Sequence, residues 1–468
     1  MSISWSKEKL AEVIGGKLKD STESIVFQGV EFDSREIKGG ELFVALKGAN
    51  THGHDFVETA LDRGAALCLV EDESYFDHPE HGNRFVCVED SLKAFWKLAH
   101  THREDLNIPI IAITGSAGKT TVKEMTAQLL LTQDNGGYSR KSFNNHVGVP
   151  YTLCSLGKQH KWAVLEVGMN HPGEMANLTQ IIKPNIAMVI GVAPVHLAHF
   201  KNIEGIANAK CEIFEGLVDE GIALLNADDQ LLLKTFDANF HNKFKLATFG
   251  TAEGNQVQLK SVASLGLQGI EFQISIAGES FKIKIPVPGE HNALNACAAI
   301  LAARNLYPEI SIEEISNALS KFIPPVMRMN LIHLSQNRIL VDDSYNANPL
   351  SMQALLKLAQ YEKSAGRKIG LILGDMLELG PSSEEFHAEL AKNVASLKPE
   401  FFIAVGEYAG LMSGIVRAAG IKSFAVESPE AAAHTAIKLP FEILMIKASL
   451  GVQLARAVTV LRDKEGLN

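Results

Sequence analysis

The stretch Ile110-Ile-Ala-Ile-Thr-Gly-Ser-Ala-Gly-Lys-Thr-Thr121 decides how this chain is organised. A short apolar run ends in two glycines, a lysine and two threonines, and a helix-compatible segment, Val122 to Leu131, follows. This order predicts a β-strand, a phosphate-binding loop and the first turn of a helix. Glycines allow backbone N–H groups to approach an anion, and a helix N-terminus also favours negative charge.

Within this loop, Lys119 supplies a positive charge for a phosphate and Thr120 a hydroxyl for Mg²⁺. The predicted nucleotide contacts are Gly115, Ser116, Gly118, Lys119, Thr120 and Thr121. Ile113 stands where the first glycine of the general G-x-x-x-x-G-K-[ST] pattern is expected. An ordinary strand-to-helix turn therefore remains the alternative at this point.

Composition limits the possible classes of protein. The chain has 468 residues, which at about 150 residues per domain indicates three domains. A net charge of −10 argues against a broad nucleic-acid surface, and five scattered cysteines favour free thiols. No apolar run approaches the roughly 20 residues that cross a bilayer, and the first residues lack a signal-peptide pattern, so we expect a cytoplasmic protein without membrane insertion.

The order of apolar runs predicts an α/β protein of three domains. Residues 1–105 alternate short strands and helices, as in a small α/β domain. Residues 106–322 predict a P-loop ATPase-like domain with a mostly parallel sheet and a small antiparallel appendage. Residues 323–468 have a regular βα rhythm that predicts a Rossmann-like, doubly wound domain.

Two polar residues follow strands of the central segment. Glu166 lies at the carboxyl end of the run that begins at Trp162, and His196 follows the strand predicted at Asn185 to Ile190. Because ligands of open α/β sheets bind beyond the carboxyl ends of the strands, we expect both side chains near Lys119.

Lys210 falls on the apolar face of a helix predicted over Ile203 to Leu217, in line with Ile206 and Ile213. Burying an ammonium is costly, so this side chain should snorkel, pair with an acid, lower its pKa or be modified. A neutral amine there could react with carbon dioxide to give a carbamate that ligates a metal. A lysine snorkelling at the helix edge is the equally weighted alternative.

Further polar residues lie in loops or at helix ends. Ser34 and Arg35 share an exposed loop, where a solvated turn is the simplest interpretation, although an arginine fork also suits a diphosphate. Asn292 and Asn295 lie one turn apart at a helix start, where they could cap the helix or contact an adenine edge. Arg328 lies in a proline-stiffened linker.

Together these motifs resemble the Mur ligases, ATP-dependent amino-acid and peptide ligases of peptidoglycan precursor synthesis. The resemblance covers essentially the whole chain and rests on motifs that occur in the family's order. They are Thr114 to Thr120, Asn144-Asn145-His-Val-Gly-Val-Pro150, Glu166-Val-Gly168, His196, Lys210 in Ala-Lys-Cys-Glu-Ile-Phe, Gly289 to Asn295, Arg328 and Asp343.

Within the family, Tyr345-Asn-Ala-Asn-Pro349 and Leu373 to Gly380 resemble the branch that adds D-alanyl-D-alanine to UDP-N-acetylmuramoyl-tripeptide. The Asp-Asn-Pro-Arg motif of the diaminopimelate-adding branch is absent. Two positions depart from the family pattern: His52 replaces a frequent aspartate, and Leu450 ends a Lys-Ala-Ser-Leu run where Lys-Gly-Ser-Arg is common.

The resemblance implies ATP and Mg²⁺ as cofactors and an acyl-phosphate intermediate. It also implies UDP-N-acetylmuramoyl-tripeptide and D-alanyl-D-alanine as the small-molecule substrates. We expect a monomer. The resemblance implies catalytic roles for Lys119, His196, Lys210 and Arg328, and metal contacts from Thr120, Glu166, His196 and Lys210. It implies that Asn292, Asn295 and Asp343 contact the nucleotide. Substrate contacts are expected from Ser34, Arg35, Asn144, Asn145, Tyr345, Asn346 and Asn348.

Three other classes of protein would have some of the same motifs. A folylpolyglutamate-synthase-like amide ligase would use the same ATP site, but the N-terminal domain and Tyr345 to Pro349 argue against it. A P-loop kinase or motor ATPase would not explain Lys210. A nucleotide-regulated binding protein is the alternative without enzymatic activity.

Overall fold

The computed structural model of the chain describes residues 2–20, 23–48, 51–194, 200 and 202–464. Strands and helices alternate along these ranges and form three large sheets in succession, so the predicted α/β class is confirmed. No helix in the described ranges has the length and apolar character needed to cross a membrane. His196 lies outside the described residues.

The N-terminal unit is built on a five-stranded sheet of order β2-β7-β6-β5-β4, and β1 and β3 form a separate antiparallel pair. Its elements are β1 (Ser4–Ser6), α1 (Lys7–Ile14), β2 (Lys17–Leu18), β3 (Val26–Gln28), β4 (Val30–Glu31), β5 (Leu42–Val44), α2 (Val57–Asp62), β6 (Leu67–Val70), β7 (Phe85–Cys87) and α3 (Ser91–Leu106). Helix α3 starts where Asp90 accepts a hydrogen bond from the Lys93 N–H at 2.9 Å. Its buried Leu98 belongs to the same core as Ile110 of the next sheet, so the two units are packed together.

The central unit has a nine-stranded sheet of order β16-β15-β14-β13-β12-β11-β8-β10-β9. Its strands are β8 (Ile110–Thr114), β9 (Gly137–Tyr138), β10 (Ala163–Glu166), β11 (Ile186–Val189), β12 (Ile222–Asn226), β13 (Lys245–Gly250), β14 (Val257–Ser264), β15 (Ile270–Ile276) and β16 (Glu279–Ile285). Its helices are α4 (Lys119–Leu130), α5 (Gly148–Ser155), α6 (Glu174–Ile182), α7 (Ile203–Cys211), α8 (Gln230–Phe240), α9 (His291–Leu306) and α10 (Ile312–Ser320).

Strand β8 is buried along its whole length, because α4, α9 and α10 cover one face of the sheet and α3, α5, α6 and α7 the other. Ile111 and Ile113 pack on the side of α4, α9 and α10, whereas Ile110 and Ala112 pack on the side of α3, α5, α6 and α7. Both faces of the strand are therefore buried, which explains the continuous apolar run. The predicted antiparallel appendage is present as strands β14 to β16, and it continues the central sheet because β14 pairs with β13.

The C-terminal unit is a doubly wound sheet of order β17-β18-β22-β19-β20-β21. Its elements are β17 (Asn330–His333), β18 (Ile339–Asp342), α11 (Pro349–Ser364), β19 (Ile369–Gly374), α12 (Ser383–Leu397), β20 (Phe401–Val405), α13 (Ala409–Ala418), β21 (Ser423–Val426), α14 (Pro429–Ala436), β22 (Ile443–Lys447) and α15 (Ala455–Lys464). Leu371 packs with α11 to α13 and Ile372 with α14 and α15, so both faces are covered. Strand β17 is an antiparallel edge strand that the sequence pattern did not predict.

Among the described residues, two hydrogen bonds join the C-terminal unit to the central one. At the turn between β14 and β15, the Leu267 N–H donates to Glu362 Oε1 on α11 at 2.7 Å. Near the phosphate loop, Arg328 Nη2 lies 3.4 Å from Ser142 Oγ. The C-terminal unit therefore faces the carboxyl ends of the central strands.

Candidate active site

The phosphate loop connects β8 directly to α4, whose first residue is Lys119. Gly118 precedes the helix with φ of 82°, a conformation that favours glycine. A Cβ atom at this position would lie 2.5 Å from Asn295 Oδ1, so the close approach of α9 also requires glycine. Lys119 Nζ donates to the Gly115 carbonyl at 2.8 Å, which holds the ammonium over the loop.

Glu166 lies beside this loop because β10 pairs in parallel with β8, opposite Ile113. Its Oε2 accepts a hydrogen bond from Thr120 Oγ1 at 2.7 Å, and its Oε1 accepts one from Asn144 Nδ2 at 2.7 Å. Ser142 Oγ lies 3.2 Å from Thr120 Oγ1. The predicted proximity of Glu166 to the loop is therefore present in the structure.

These groups fit a magnesium ion by their chemistry. The Glu166 carboxylate is only 1 % exposed, and its hydrogen-bond donors among the described side chains are the neutral groups of Thr120 and Asn144. A buried carboxylate needs a compensating positive charge. Mg²⁺ prefers hard oxygen ligands such as this carboxylate and the Thr120 hydroxyl.

Lys210 is buried at 3 % exposure on α7, on the same face as Ile206. Burial, followed by the charge of Lys119, lowers the pKa of Lys210 well below its ordinary value. A lowered pKa is one of the outcomes that the apolar helical face left open for this lysine. Helix α7 ends at Cys211 and passes into a 3₁₀ turn, so the predicted helix to Leu217 is too long.

The C-terminal unit contributes two cations to the opposite wall. The Arg328 guanidinium lies over the Tyr345 ring, 4.3 Å from its centroid. Lys447 Nζ donates to Asp343 Oδ2 at 2.5 Å and to the Asn346 carbonyl at 2.8 Å. Asp343 also accepts the Met329 N–H, so its carboxylate already has two partners.

Asn292 and Asn295 lie on one face of α9, as their spacing predicted, and Asn295 Nδ2 donates to Asn292 Oδ1 at 2.9 Å. Asn292 Nδ2 donates in turn to the Pro288 carbonyl. Neither residue is the N-cap of α9, which is Glu290. Asn295 packs against Gly118 of the phosphate loop, and Asn292 holds the Asn295 amide in place.

A single cavity of about 1380 Å³ connects these groups. The predicted site residues on its wall are Ser116, Gly118, Lys119, Thr120, Thr121, Asn144, Asn145, Glu166, Lys210, Asn292, Asn295, Arg328, Asp343, Tyr345, Asn346 and Asn348. Gly115 is not on the wall, although its carbonyl accepts the Lys119 hydrogen bond. Ser34 and Arg35 do not line the cavity, and the Arg35 guanidinium pairs with Asp33 at 2.6 Å.

Sequence reasoning did not name every cavity residue as a site residue, and three of the missed ones make informative contacts. Ser142 contacts both Thr120 and Arg328, and Lys447 pairs with Asp343. Trp96 of α3 lines the far end and donates to the His146 carbonyl at 2.7 Å. Lys447 could have been found, because a lysine at the end of a buried strand is a sequence signal for a site residue. Ser142 and Trp96 have no such signal in the sequence.

The fold and cavity define a phosphate-loop protein whose site lies between a central parallel sheet and a doubly wound C-terminal unit. Comparison with known proteins assigns its family. Three family models match: the Mur ligase family catalytic domain over residues 26–111, the Mur ligase middle domain over 113–303, and the Mur ligase glutamate ligase domain over 327–446.

The chain belongs to the Mur ligase family. It is 33% identical to the UDP-N-acetylmuramoyl-tripeptide–D-alanyl-D-alanine ligase of Bacillus subtilis over 462 residues, which are 96% of this chain and 97% of the relative. A crystal structure of MurF from Acinetobacter baumannii matches with a TM-score of 0.86 and 28% identity over 99% of both chains. MurF ligase from Thermotoga maritima in complex with ADP matches with a TM-score of 0.75 and 25% identity, over 94% of this chain and 98% of that one.

Proposed function

We propose that this chain is an ATP-dependent ligase that joins D-alanyl-D-alanine to UDP-N-acetylmuramoyl-tripeptide in peptidoglycan precursor synthesis. The observation that carries the proposal is the shared cavity, in which Lys119 and Glu166 of the central unit face Arg328 and Tyr345 of the C-terminal unit. The named relatives with this activity, which match nearly the whole chain, support the same conclusion. The ADP complex of a similar ligase supports ATP as the nucleotide.

The reaction joins an anion to a triphosphate. A carboxylate oxygen at the end of the peptide attacks the γ-phosphorus, the bond to the β-phosphate oxygen breaks, and an acyl phosphate and ADP result. The dipeptide amine then attacks the acyl carbon, the carbon–oxygen bond to phosphate breaks, and the amine loses a proton. Cationic groups at fixed positions are the main contribution a protein makes to such a transfer.

Lys119 and Arg328 both line the cavity and would supply this positive charge. We assign Lys119 to the β- and γ-phosphates and Arg328 to the transferred phosphoryl group. Thr120 and Glu166 would hold Mg²⁺, which, when bound, screens the phosphate oxygens from the attacking carboxylate. Asn292, Asn295 and Asp343 remain our proposal for the adenosine contacts.

Lys210 is the proposed site of carbamylation. Its neutral amine would form a nitrogen–carbon bond to carbon dioxide and release one proton, which turns a buried base into a carboxylate-like oxygen donor. The lowering of the amine pKa by burial favours this chemistry. Together with His196, the carbamate would hold or orient a second metal ion near the peptide carboxylate.

The remaining substrate contacts follow from the arrangement of the three units. We propose that residues 1–105 bind the nucleotide sugar, that 106–322 bind ATP, and that 323–468 bind the dipeptide through Tyr345, Asn346 and Asn348. Asn144 and Asn145 would contact the peptide. Ser34 and Arg35 lie away from the cavity, so the uridine diphosphate would extend over the N-terminal surface to reach them. The protein would act as a cytoplasmic monomer.

Omission of single substrates tests this proposal. Purified protein is incubated with ATP, Mg²⁺, UDP-N-acetylmuramoyl-tripeptide and D-alanyl-D-alanine, and phosphate release and the product mass are measured. We expect release and an amide product only when all four are present. A folylpolyglutamate-synthase-like enzyme would instead require a folate and glutamate. Phosphate release that does not depend on the dipeptide, or no amide product, would contradict the proposal.

A further inference from the structure

Lys123 is a fully buried lysine that the proposed mechanism does not use. It lies four residues after Lys119 on α4, so both side chains project from the same face of the helix. A buried ammonium is costly unless each of its protons has an acceptor.

The Lys123 ammonium has three acceptors for its three protons. Its Nζ donates to the Ser139 carbonyl at 2.5 Å and the Lys141 carbonyl at 2.6 Å, and it pairs with Glu124 Oε1 at 2.8 Å. Lys141 has φ of 53°, a left-handed conformation that is unfavourable for a non-glycine residue. The two hydrogen bonds to carbonyls therefore fix a backbone segment that would otherwise relax.

This segment continues directly into the active site. We call residues 139–145 the clamp loop. Ser142 Oγ in this loop contacts Thr120 at 3.2 Å and Arg328 at 3.4 Å, and Asn144 Nδ2 donates to Glu166 at 2.7 Å. Ser139 Oγ also accepts the Glu166 N–H at 3.1 Å. The clamp loop therefore touches the predicted metal ligands and the arginine of the opposite wall.

We propose that Lys123 is a positioning residue that holds the clamp loop against α4, so that Ser142 and Asn144 keep Thr120, Glu166 and Arg328 in the geometry that binds the ATP phosphates. It acts through the loop and does not touch substrate. The expected change in KM for ATP rests on the proposed function. The expected rigidity of the clamp loop does not depend on which reaction the protein catalyses.

Two variants and a matched control test this role. Lys123→Met keeps the apolar stem and removes the ammonium, and Lys123→Arg keeps the charge but changes the donor geometry. Lys363→Met is the control, because Lys363 Nζ also donates to two backbone carbonyls, those of Leu397 and Lys398 at 2.6 Å each, outside the cavity wall.

Hydrogen exchange of the clamp loop and steady-state kinetics are measured for each protein. Loss of charge-assisted hydrogen bonds should speed exchange at residues 139–145 and raise KM for ATP by at least about tenfold in Lys123→Met. KM for the dipeptide should stay within about twofold of wild type. Lys123→Arg should fall between wild type and Lys123→Met, and Lys363→Met should change neither quantity.

Three outcomes would overturn the inference. They are unchanged exchange in the clamp loop, a fall in kcat with KM for ATP unchanged, or equal effects of Lys123→Met and Lys363→Met. Should Lys123→Met fail to fold, Lys123→Arg decides, because wild-type exchange and wild-type KM for ATP in that variant would contradict the role. Binding of ADP measured calorimetrically tests the same loop without turnover, so a failure of the ligase assay would not be mistaken for a failure of this inference.

Discussion

At the scale of single residues, Lys210 carries the most specific chemical expectation. Its position on an apolar helical face left burial and snorkelling at the helix edge as alternatives, and the structure places it at 3 % exposure on the cavity wall. Periodicity could place Lys210 on that face because a helical face is a local property of the sequence. The identity of its neighbours could not be predicted in the same way, since Lys119 is distant along the chain.

Replacement of Lys210 by alanine should abolish ligase activity, because the proposed carbamate supplies an oxygen donor that alanine lacks. Short carboxylic acids such as acetate should then partly restore the rate by placing a carboxylate in the vacated space. The measurement is amide product per minute against acetate concentration. A wild-type rate in the alanine variant would end the hypothesis, and a dead variant that no acid rescues would contradict the carbamate.

Lys210→Met should be more stable than wild type at neutral pH in buffer free of carbon dioxide. Because the folded-state pKa lies below the unfolded value, the folded protein binds fewer protons between the two, and wild-type stability rises with pH there. The advantage of the methionine variant should therefore shrink as pH rises towards the unfolded lysine pKa of about 10.4. Urea unfolding at several pH values measures it, and an advantage that does not change with pH would contradict the assignment.

At the scale of secondary-structure elements, the strands with continuous apolar runs and the alternating strands β14 to β16 were predicted, whereas several short or partly exposed strands were not. Strands β8, β10 and β22 are buried on both faces, so their composition alone identifies them. Strand β9 has two residues, and β13 begins with two exposed residues, so neither has a clear pattern. Strand β17 is half exposed at the sheet edge, where pairing with β18 rather than composition makes it a strand.

Gly118→Ala should impair nucleotide use through the contact between α4 and α9. The added methyl group would clash with Asn295 Oδ1, in addition to a left-handed backbone cost of about 1–2 kcal/mol. We expect kcat/KM for ATP to fall by about tenfold or more.

Gly15→Ala is the control for this change. Gly15 has a similar φ of 75° at the end of α1, but no atom lies within 4 Å of the added carbon. It should lose similar stability in thermal unfolding while its kcat/KM for ATP stays unchanged. Equal kinetic effects of the two substitutions would show that backbone strain, and not the α4–α9 contact, is responsible.

At the scale of the whole molecule, the candidate site lies between structural units that are far apart in sequence. The sequence pattern alone could place Glu166 near Lys119, because both follow neighbouring parallel strands. It could not predict that Ser142 meets Arg328, since that contact depends on how the C-terminal unit sits on the central one. The family resemblance implied that Ser34 and Arg35 lie near the uridine diphosphate; their loop does not line the cavity, so that contact stays a prediction.

Substrate binding should rotate the C-terminal unit, about residues 325–468, towards the central one as a rigid body. Few described polar contacts join the units beside the phosphate loop, and an acyl phosphate must be protected from water. Solution scattering should give a smaller radius of gyration with an ATP analogue and the peptide substrate than without them. ADP alone is the control, and identical scattering profiles in the free and liganded states would contradict closure.

The central claim is that one cavity transfers a phosphoryl group to a peptide carboxylate before the amide bond forms. Isotope transfer tests it most directly: UDP-N-acetylmuramoyl-tripeptide is labelled with oxygen-18 at its terminal carboxylate and turned over with ATP and D-alanyl-D-alanine. Because phosphate leaves with the carboxylate oxygen that attacked it, we predict that the released phosphate carries one labelled oxygen and the new amide retains the other. Unlabelled phosphate, with one label kept in the amide and the other lost to water, would contradict the account.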